Sequence, residues 1–427
     1  MKRAKKLLAV LLILALAVTI AGCGKKTEPT PAPGPTPAQP PKEVVIGYSG
    51  PLSGPAAEYG QDCLNGIIYA VEEIKNAGGF EVNGQKYIFK LESIDDGANP
   101  TQSVTNARRL QELNAVAITN PVMTSIAPMI ELNQEAGNEF LMLAYTSTPK
   151  VVQTGNKYLV AVPPPFTVYI NAFSKLAWDK GWRKGAMVIT LGAYGDEWRQ
   201  LFKAHWEGLG GQITADQPAN YYTEVDYSAQ LTASLATNPD FLLIGGPSQP
   251  TALVMEQARM LGFTGAFLLI DQAKMEYIES LIGLDMMGEV IGVGRIMDFP
   301  SATAKKFDDG YTKRFGVMNT WESVLNYTMT HKLALAMQAA GSVDDVAAIV
   351  AAYPKVYPIK GDTYPVEYFG VEAGGATYLP AMVQTIEAGK YSKPALYVWW
   401  AKTDAEFQQV KSQAQDGSNM VKMDLKR

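Results

Sequence analysis

Short apolar runs alternate with amphipathic stretches through most of the chain. The run at Val44–Gly60 sets the pattern: Val-Val-Ile-Gly-Tyr-Ser breaks into Gly-Pro-Leu-Ser-Gly-Pro, and a helical spacing follows. A strand that ends abruptly in Gly and Pro and feeds a helix is a βα unit. Leu64, Ile67, Ile68, Val71 and Ile74 form one face of a helix over Glu58–Asn76, which Gly78-Gly79 stops. Strands are predicted at Tyr87–Ser93, Ala115–Thr119 and Phe140–Ala144, and helices at Pro100–Asn114 and Val122–Ala136. The order β-α-β-α-β-α-β requires a parallel sheet with right-handed crossovers.

Tyr158–Val162 is apolar, Pro163-Pro164-Pro165 stiffens the chain, and the alternation restarts. Helices are predicted at Thr167–Lys180, Asp196–Gly208, Ser228–Thr237, Thr251–Leu261 and Met275–Gly283. Strands are predicted at Ala186–Thr190, Gln212–Pro218, Phe241–Gly245, Ala266–Ile270 and Val290–Arg295. Ser301–Gly316, Trp321–Gly341 and Val343–Tyr353 read as helices. Thr363–Val371, Thr377–Ile386 and Leu396–Trp400 read as strands, and Ser412–Arg427 as a loosely held polar end. Two βα series separated by a proline-marked crossing argue for two lobes. In open α/β sheets a ligand sits beyond the carboxyl ends of the strands. Two loops therefore become candidates for contact with a small molecule, the one after Val44–Ser49 and the hydroxyl-rich Ala144-Tyr145-Thr146-Ser147-Thr148-Pro149. The second could equally be a turn satisfying its own backbone.

Composition removes several classes of function. A net charge of -5 lacks the basic excess of a nucleic-acid binder. Two His and two Cys cannot supply a clustered zinc site, so no metal or cofactor is expected. No G-x-G-x-x-G between strand and helix, phosphate loop or G-x-S-x-G elbow is present. His205 and His331 fall in predicted helices, Asp95-Asp96-Gly97 reads as a capped turn, and Cys63 as a small buried residue.

The amino end carries targeting information. Lys2, Arg3, Lys5 and Lys6 precede an apolar run from Leu7 to Ala21, too short to span a bilayer and suited to a secretory signal. Ile20-Ala21-Gly22-Cys23 resembles a bacterial lipobox, which implies cleavage before Cys23 and acylation of its sulfur. An ordinary signal peptide with an incidental Cys is the alternative. Lys25–Lys42 is dense in Pro and predicts an extended spacer on the order of 50 Å long.

Val45-Ile46-Gly47-Tyr48-Ser49-Gly50-Pro51-Leu52-Ser53-Gly54-Pro55 with Tyr59-Gly60 resembles the start of the branched-chain amino-acid type of ABC-transporter solute-binding proteins. Asp95-Asp96, Gln102 through Leu110, Ala144–Pro149, Ala193-Tyr194-Gly195 and Gly245-Gly246 follow in the same order. The likeness spans about Val44 to Gly389. It implies an α/β fold of two Rossmann-like lobes with parallel sheets and a three-segment hinge, the periplasmic binding protein fold type I. The expected division is a signal at 1–22 and a lipidated Cys with linker at 23–42. One lobe is expected at 43–162 with 298–358, the other at 163–297 with 359–410, and a tail at 411–427.

The resemblance also implies roles. Tyr59 would line the ligand, and Thr124 or Ser125 would meet its polar end. Ser147, with Thr146 and Tyr145 beside it, would bind a carboxylate or amide oxygen. Tyr194 would close from the second lobe, and Asp271 would take an ammonium unless it only caps the helix at Met275. Asp271-Gln272-Ala273-Lys274, Pro247-Ser248-Gln249-Pro250 and Asn120-Pro121 depart from the family pattern, which opens the ligand to amides, urea and aromatic or other small acids as well as amino acids. The implied protein is a monomeric, non-enzymatic receptor, lipid-anchored at Cys23 outside the cell membrane, that delivers its ligand to ABC permease subunits. A sensor module signalling to a membrane receptor is the alternative.

Overall fold

The computed structural model describes residues 40–423. A first sheet is built from β1 (Lys42–Gly50), β2 (Phe80–Val82), β3 (Gln85–Asp95), β4 (Ala117–Asn120), β5 (Leu141–Ala144) and β6 (Leu159–Ala161), in the spatial order β2-β3-β1-β4-β5-β6. Helices α1 (Ala57–Asn76), α2 (Pro100–Glu112), α3 (Met123–Leu132) and α4 (Pro149–Gln153) connect its strands. All pairings are parallel except the short β2–β3 hairpin. Buried on both faces, β4, β5 and β6 are continuous apolar or small-polar runs.

The chain then crosses at Val162–Phe166 into a second sheet. Its strands are β7 (Lys184–Ile189), β8 (Gln212–Asp216), β9 (Phe241–Gly245), β10 (Ala266–Leu269), β11 (Val290–Val293), β12 (Ala381–Glu387), β13 (Lys390–Tyr391), β14 (Ala395–Val398) and β15 (Met420–Lys422). Helices α5 (Thr167–Asp179), α6 (Ala193–Gly208), α7 (Ser228–Leu235), α8 (Ser248–Met260) and α9 (Met275–Met287) belong to this half. After β11 the chain returns to the first half as α10 (Ala304–Phe315), α11 (Trp321–Ala340) and α12 (Val346–Ala352), and crosses a third time before β12. Helix α13 (Asp404–Gln413) precedes β15. These three crossings form the hinge.

Helix α11 packs along α1 so closely that a Cβ on Gly66 would lie 2.1 Å from the Ser323 carbonyl oxygen. Asn99 caps α2 by accepting from the Thr101 and Gln102 amides at 2.9 and 3.1 Å, with Pro100 in the first turn.

Several expectations are corrected. The second sheet is mixed, because β12 runs antiparallel to both β11 and β14. Thr363–Val371 is hinge backbone with isolated bridges only, Ile359 to Tyr368 and Val371 to Thr377. Pro365 lacks a donor there, and Gly374 and Gly375 turn the chain at positive φ. Pairing of β12 starts at Ala381; upstream of it Thr377 bridges Val371 and its hydroxyl donates to the hinge carbonyls of Ala161 and Val162. Helix α9 runs on past Gly283, which breaks its geometry at φ 73°. The end expected to be loose is tied down as far as Lys422, since β15 pairs with β14. Helix α13 has no apolar stripe, only Val410 being buried. Its signal was the capping box of Thr403 and Glu406, where the Thr403 hydroxyl accepts from the Glu406 amide and Glu406 accepts from the Thr403 amide.

Candidate functional site

The strand order of the first sheet reverses at β1, which has β3 on one side and β4 on the other. A crevice opens there beyond the carboxyl ends of the strands. Its lip is fixed by polar bonds. Asp95 accepts from the Leu52 amide at 2.8 Å, and Asp96 accepts from Ser49 and from Asn120. Asn120 in turn accepts from the Val122 amide at 2.8 Å. The acidic pair is thus a turn that holds two loops in place. The Tyr48 hydroxyl donates to the Gly60 carbonyl at 2.7 Å and locks the loop after β1 onto α1.

Between the two halves lies a cavity of about 50 Å³. From the first half it is lined by Tyr59, by Pro121–Thr124 after β4, by Tyr145–Ser147 after β5, and by Trp321, Glu322 and Leu325 of α11. The second half supplies Thr190–Gly192 and Tyr194 after β7, Tyr222, Asp271, Gln272 and Lys274 after β10, and Val293. Pro163, Pro164, Tyr169 and Leu379 close it at the hinge. The halves touch around it: Trp321 Nε1 donates to the Gly294 carbonyl at 2.7 Å, and a Cβ on Gly192 would sit 3.5 Å from Thr124 Oγ1.

Of the residues nominated from sequence, Tyr59, Thr124, Tyr145, Thr146, Ser147, Tyr194 and Asp271 are brought together on this wall. Ser125 is not among the lining residues; it lies one position deeper, buried, with its carbonyl accepting from Ser103. Cys23 lies outside the described residues. Tyr59 donates to the Pro121 carbonyl at 2.9 Å, and its ring sits 6.3 Å from that of Tyr145. Thr146 accepts from the Thr148 amide at 3.3 Å, so that loop does satisfy part of its own backbone. The Ser147 carbonyl accepts from the Phe166 amide at 2.9 Å, and the residue lines the cavity. Asp271 Oδ1 accepts from the Tyr194 hydroxyl at 2.6 Å and from Trp198 Nε1 at 2.9 Å. Burial raises the Tyr59, Tyr145, Tyr169 and Tyr194 hydroxyls well above their ordinary range, so they stay neutral.

Sequence reading missed three polar contributors. Gln272 donates to the Tyr222 hydroxyl at 3.2 Å and leaves its Oε1 buried without a partner beside the cavity. Lys274 Nζ lies 2.7 Å from Glu322 Oε1, with the two side chains 5% and 3% exposed, and donates to the Asp271 carbonyl at 2.6 Å. The loop containing Gln272 and Lys274 stood out as a departure from the family pattern. Glu322 had no signal, being the one acid in a helix of mixed composition. His331 contacts Glu73, away from the cavity.

Two α/β lobes that meet over a polar, partly charged cavity define a two-lobed binder of small molecules. The chain belongs to the periplasmic binding protein family, whose model matches residues 43–390. An amino acid binding protein of Pseudomonas aeruginosa is 25% identical over 338 residues, covering 74% of this chain and 84% of that protein. The Leu/Ile/Val-binding protein BraC3 of Rhizobium johnstonii is 26% identical over 316 residues, covering 73% and 83%. The crystal structure of the leucine-binding protein LivK of Thermotoga maritima superposes with a TM-score of 0.70 at 24% identity, covering 83% and 98%. The protein is therefore an extracytoplasmic binding protein and not an enzyme. Among the described residues no helix is long and apolar enough to cross a membrane.

Proposed function

We propose that the protein captures a small polar organic ligand, an amino acid or a related amide or acid, and delivers it to an ABC permease. The observation that carries this reading is the composition of the cavity wall. Asp271, and Gln272 with its amide oxygen buried and unpartnered, line it from one lobe, and the Thr146–Ser147 loop from the other. An acceptor side and a hydroxyl side suit a ligand with a donor at one end and an oxygen acceptor at the other. Val122, Met123, Leu191, Val293 and Leu325 supply apolar surface between them. The names of the amino-acid-binding relatives support the same class. Thermal-shift screening against amino acids, their amides and small aromatic acids tests it. A hit confirmed by calorimetry with one-to-one stoichiometry is expected; no stabilisation by any of the three classes would refute the reading.

We further propose that Cys23 carries the lipid anchor, on the strength of the Ile20-Ala21-Gly22-Cys23 motif. Palmitate labelling in the producing bacterium should mark the protein, and Cys23→Ser should abolish the label. Labelling that persists in the variant would show the anchor to be elsewhere.

A further inference from the structure

Beside the cavity, where the two lobes meet, buried acids outnumber the cations that pair with them. Glu58 and Asp62 stand one helical turn apart on α1, within hydrogen-bonding reach of each other. Glu322 faces them from α11, and Glu276 approaches from the first turn of α9. Asp62 is 6% exposed and Glu322 2% exposed; Glu58 is half-buried, with its Oε2 enclosed and unpartnered. Among the described residues these four carboxylates make a single ion pair, Glu322 with Lys274. Asp62 accepts from the Thr320 hydroxyl at 3.0 Å and lies beside Glu58, which takes the Gln249 amide of the second lobe. The cation and the three acids of α1 and α11 belong to opposite lobes. Lys274 reaches across from the loop after β10, and its ammonium also touches the Asp271 carbonyl. The neutral titratable groups around the cluster are Tyr48, Tyr59, Cys63, Tyr145, Tyr277 and Tyr311.

Resting on the reading of a cleft that opens and closes, we propose that closure is proton-linked: Lys274 neutralises Glu322 across the lobes, and the Glu58–Asp62 pair takes up a proton from solvent as the cleft shuts over it. With the lobes apart, Glu322 loses Lys274, and Glu58 loses the Gln249 amide and Tyr277 of the second lobe, so water reaches both and they ionise freely, while Asp62 keeps the Thr320 hydroxyl of its own lobe. With the lobes together, one cation cannot balance three anions in a water-poor wall, and burying an unpaired carboxylate is costlier than protonating it. The titration behaviour agrees. Burial, with the Glu322 charge second, pushes the Asp62 carboxyl up to about 7, and burial, with Asp62 second, pushes Glu58 well above the usual range, Lys274 opposing both. A ligand that favours the closed form then binds more tightly as pH falls toward 6, and capture is strongest on the acid side of neutrality.

The test follows the lobes directly. Spin labels are placed at two exposed positions, Thr105→Cys on α2 and Ala229→Cys on α7, in the full chain carrying Cys23→Ser, and interlobe distances are read by pulsed electron resonance without added ligand. Between pH 8.5 and 6 the ratio of short to long distances should rise by up to about tenfold per pH unit, the limit for uptake of one proton. Glu58→Gln with Asp62→Asn should flatten that dependence, and Asp62→Asn alone, which keeps the Thr320 contact, should weaken it. A distribution that does not change with pH, or changes equally in the variants, would overturn the proposal. Thermal-shift hits in a protein whose lobes ignore pH would sink only this linkage; the absence of any hit would sink the binder reading itself.

Discussion

Replacing Gly by Ala inside a helix ordinarily stabilises a protein by about 0.5–1 kcal/mol, because Ala has less backbone freedom to lose on folding. Gly60→Ala should do the reverse. Gly60 lies in the first turn of α1, directly under the loop that follows β1. A Cβ there would sit 1.7 Å from the Pro51 carbonyl oxygen and 2.7 Å from its carbon. Both are backbone atoms, so no side-chain rotation relieves the clash, and the loop must lift by more than an ångström. That loop is pinned by the Asp95–Leu52 bond and by the Tyr48 hydroxyl on the Gly60 carbonyl. Overpacking of this kind costs about 1–3 kcal/mol, and the upper part of that range applies because both contacting groups are anchored. After the propensity gain, a net loss of about 2 kcal/mol is expected. Gly208→Ala, at the exposed end of α6 with nothing within 4 Å of its Cβ, supplies the contrast: the same substitution should stabilise by up to about 1 kcal/mol. Urea unfolding of the two variants beside the wild type measures both. A Gly60→Ala protein as stable as wild type would show that the lip of the cleft is not held as described. Because Tyr59 neighbours the substitution, the same variant should also bind any screened ligand more weakly.

The remaining predictions concern the cavity and the buried acids beside it. Lys274→Met strands Glu322 in the wall and should cost about 3–5 kcal/mol of unfolding free energy, while Lys274→Met combined with Glu322→Leu should recover most of it; a single variant within 1 kcal/mol of wild type would mean that the pair is solvated in the unliganded protein. Ser147→Ala should weaken a confirmed ligand about fivefold to tenfold, the value of one hydrogen bond, and leave unliganded stability within about 0.5 kcal/mol; a large stability loss would make that loop structural. Burial holds the Asp62 and Glu276 carboxyls up at about 7 in the folded protein, against 3.8 and 4.5 for the free groups. The folded state therefore binds the extra protons between those limits, and this stabilisation is complete below about pH 4 and disappears as pH rises through 7. Melting temperature should fall from pH 5.5 to 8.5, and Asp62→Asn should flatten part of that slope; a melting temperature rising over this window would contradict it.

The hydrophobic pattern alone placed nearly every βα unit, because strand and helix periods are local properties and Gly, Pro and capping residues mark their ends. Val44–Gly60 announced a strand, a lip and a helix, and the loops at Thr124, Ser147 and Tyr194 were legible as strand ends in a series whose topology puts ligands there. Local rules failed where pairing was decided elsewhere. Thr363–Val371 alternates like a strand, yet at the hinge it meets only short partners and forms isolated bridges, Ile359 to Tyr368 and Val371 to Thr377. Met420–Lys422 is too short and polar to announce itself, and is a strand because β14 offers an open edge. Glu58, Asp62, Lys274 and Glu322 are separated by up to 264 positions along the chain and carry no joint pattern. Only the packing of α11 on α1, and the approach of the second lobe, turns four ordinary charged residues into one cluster where the lobes meet.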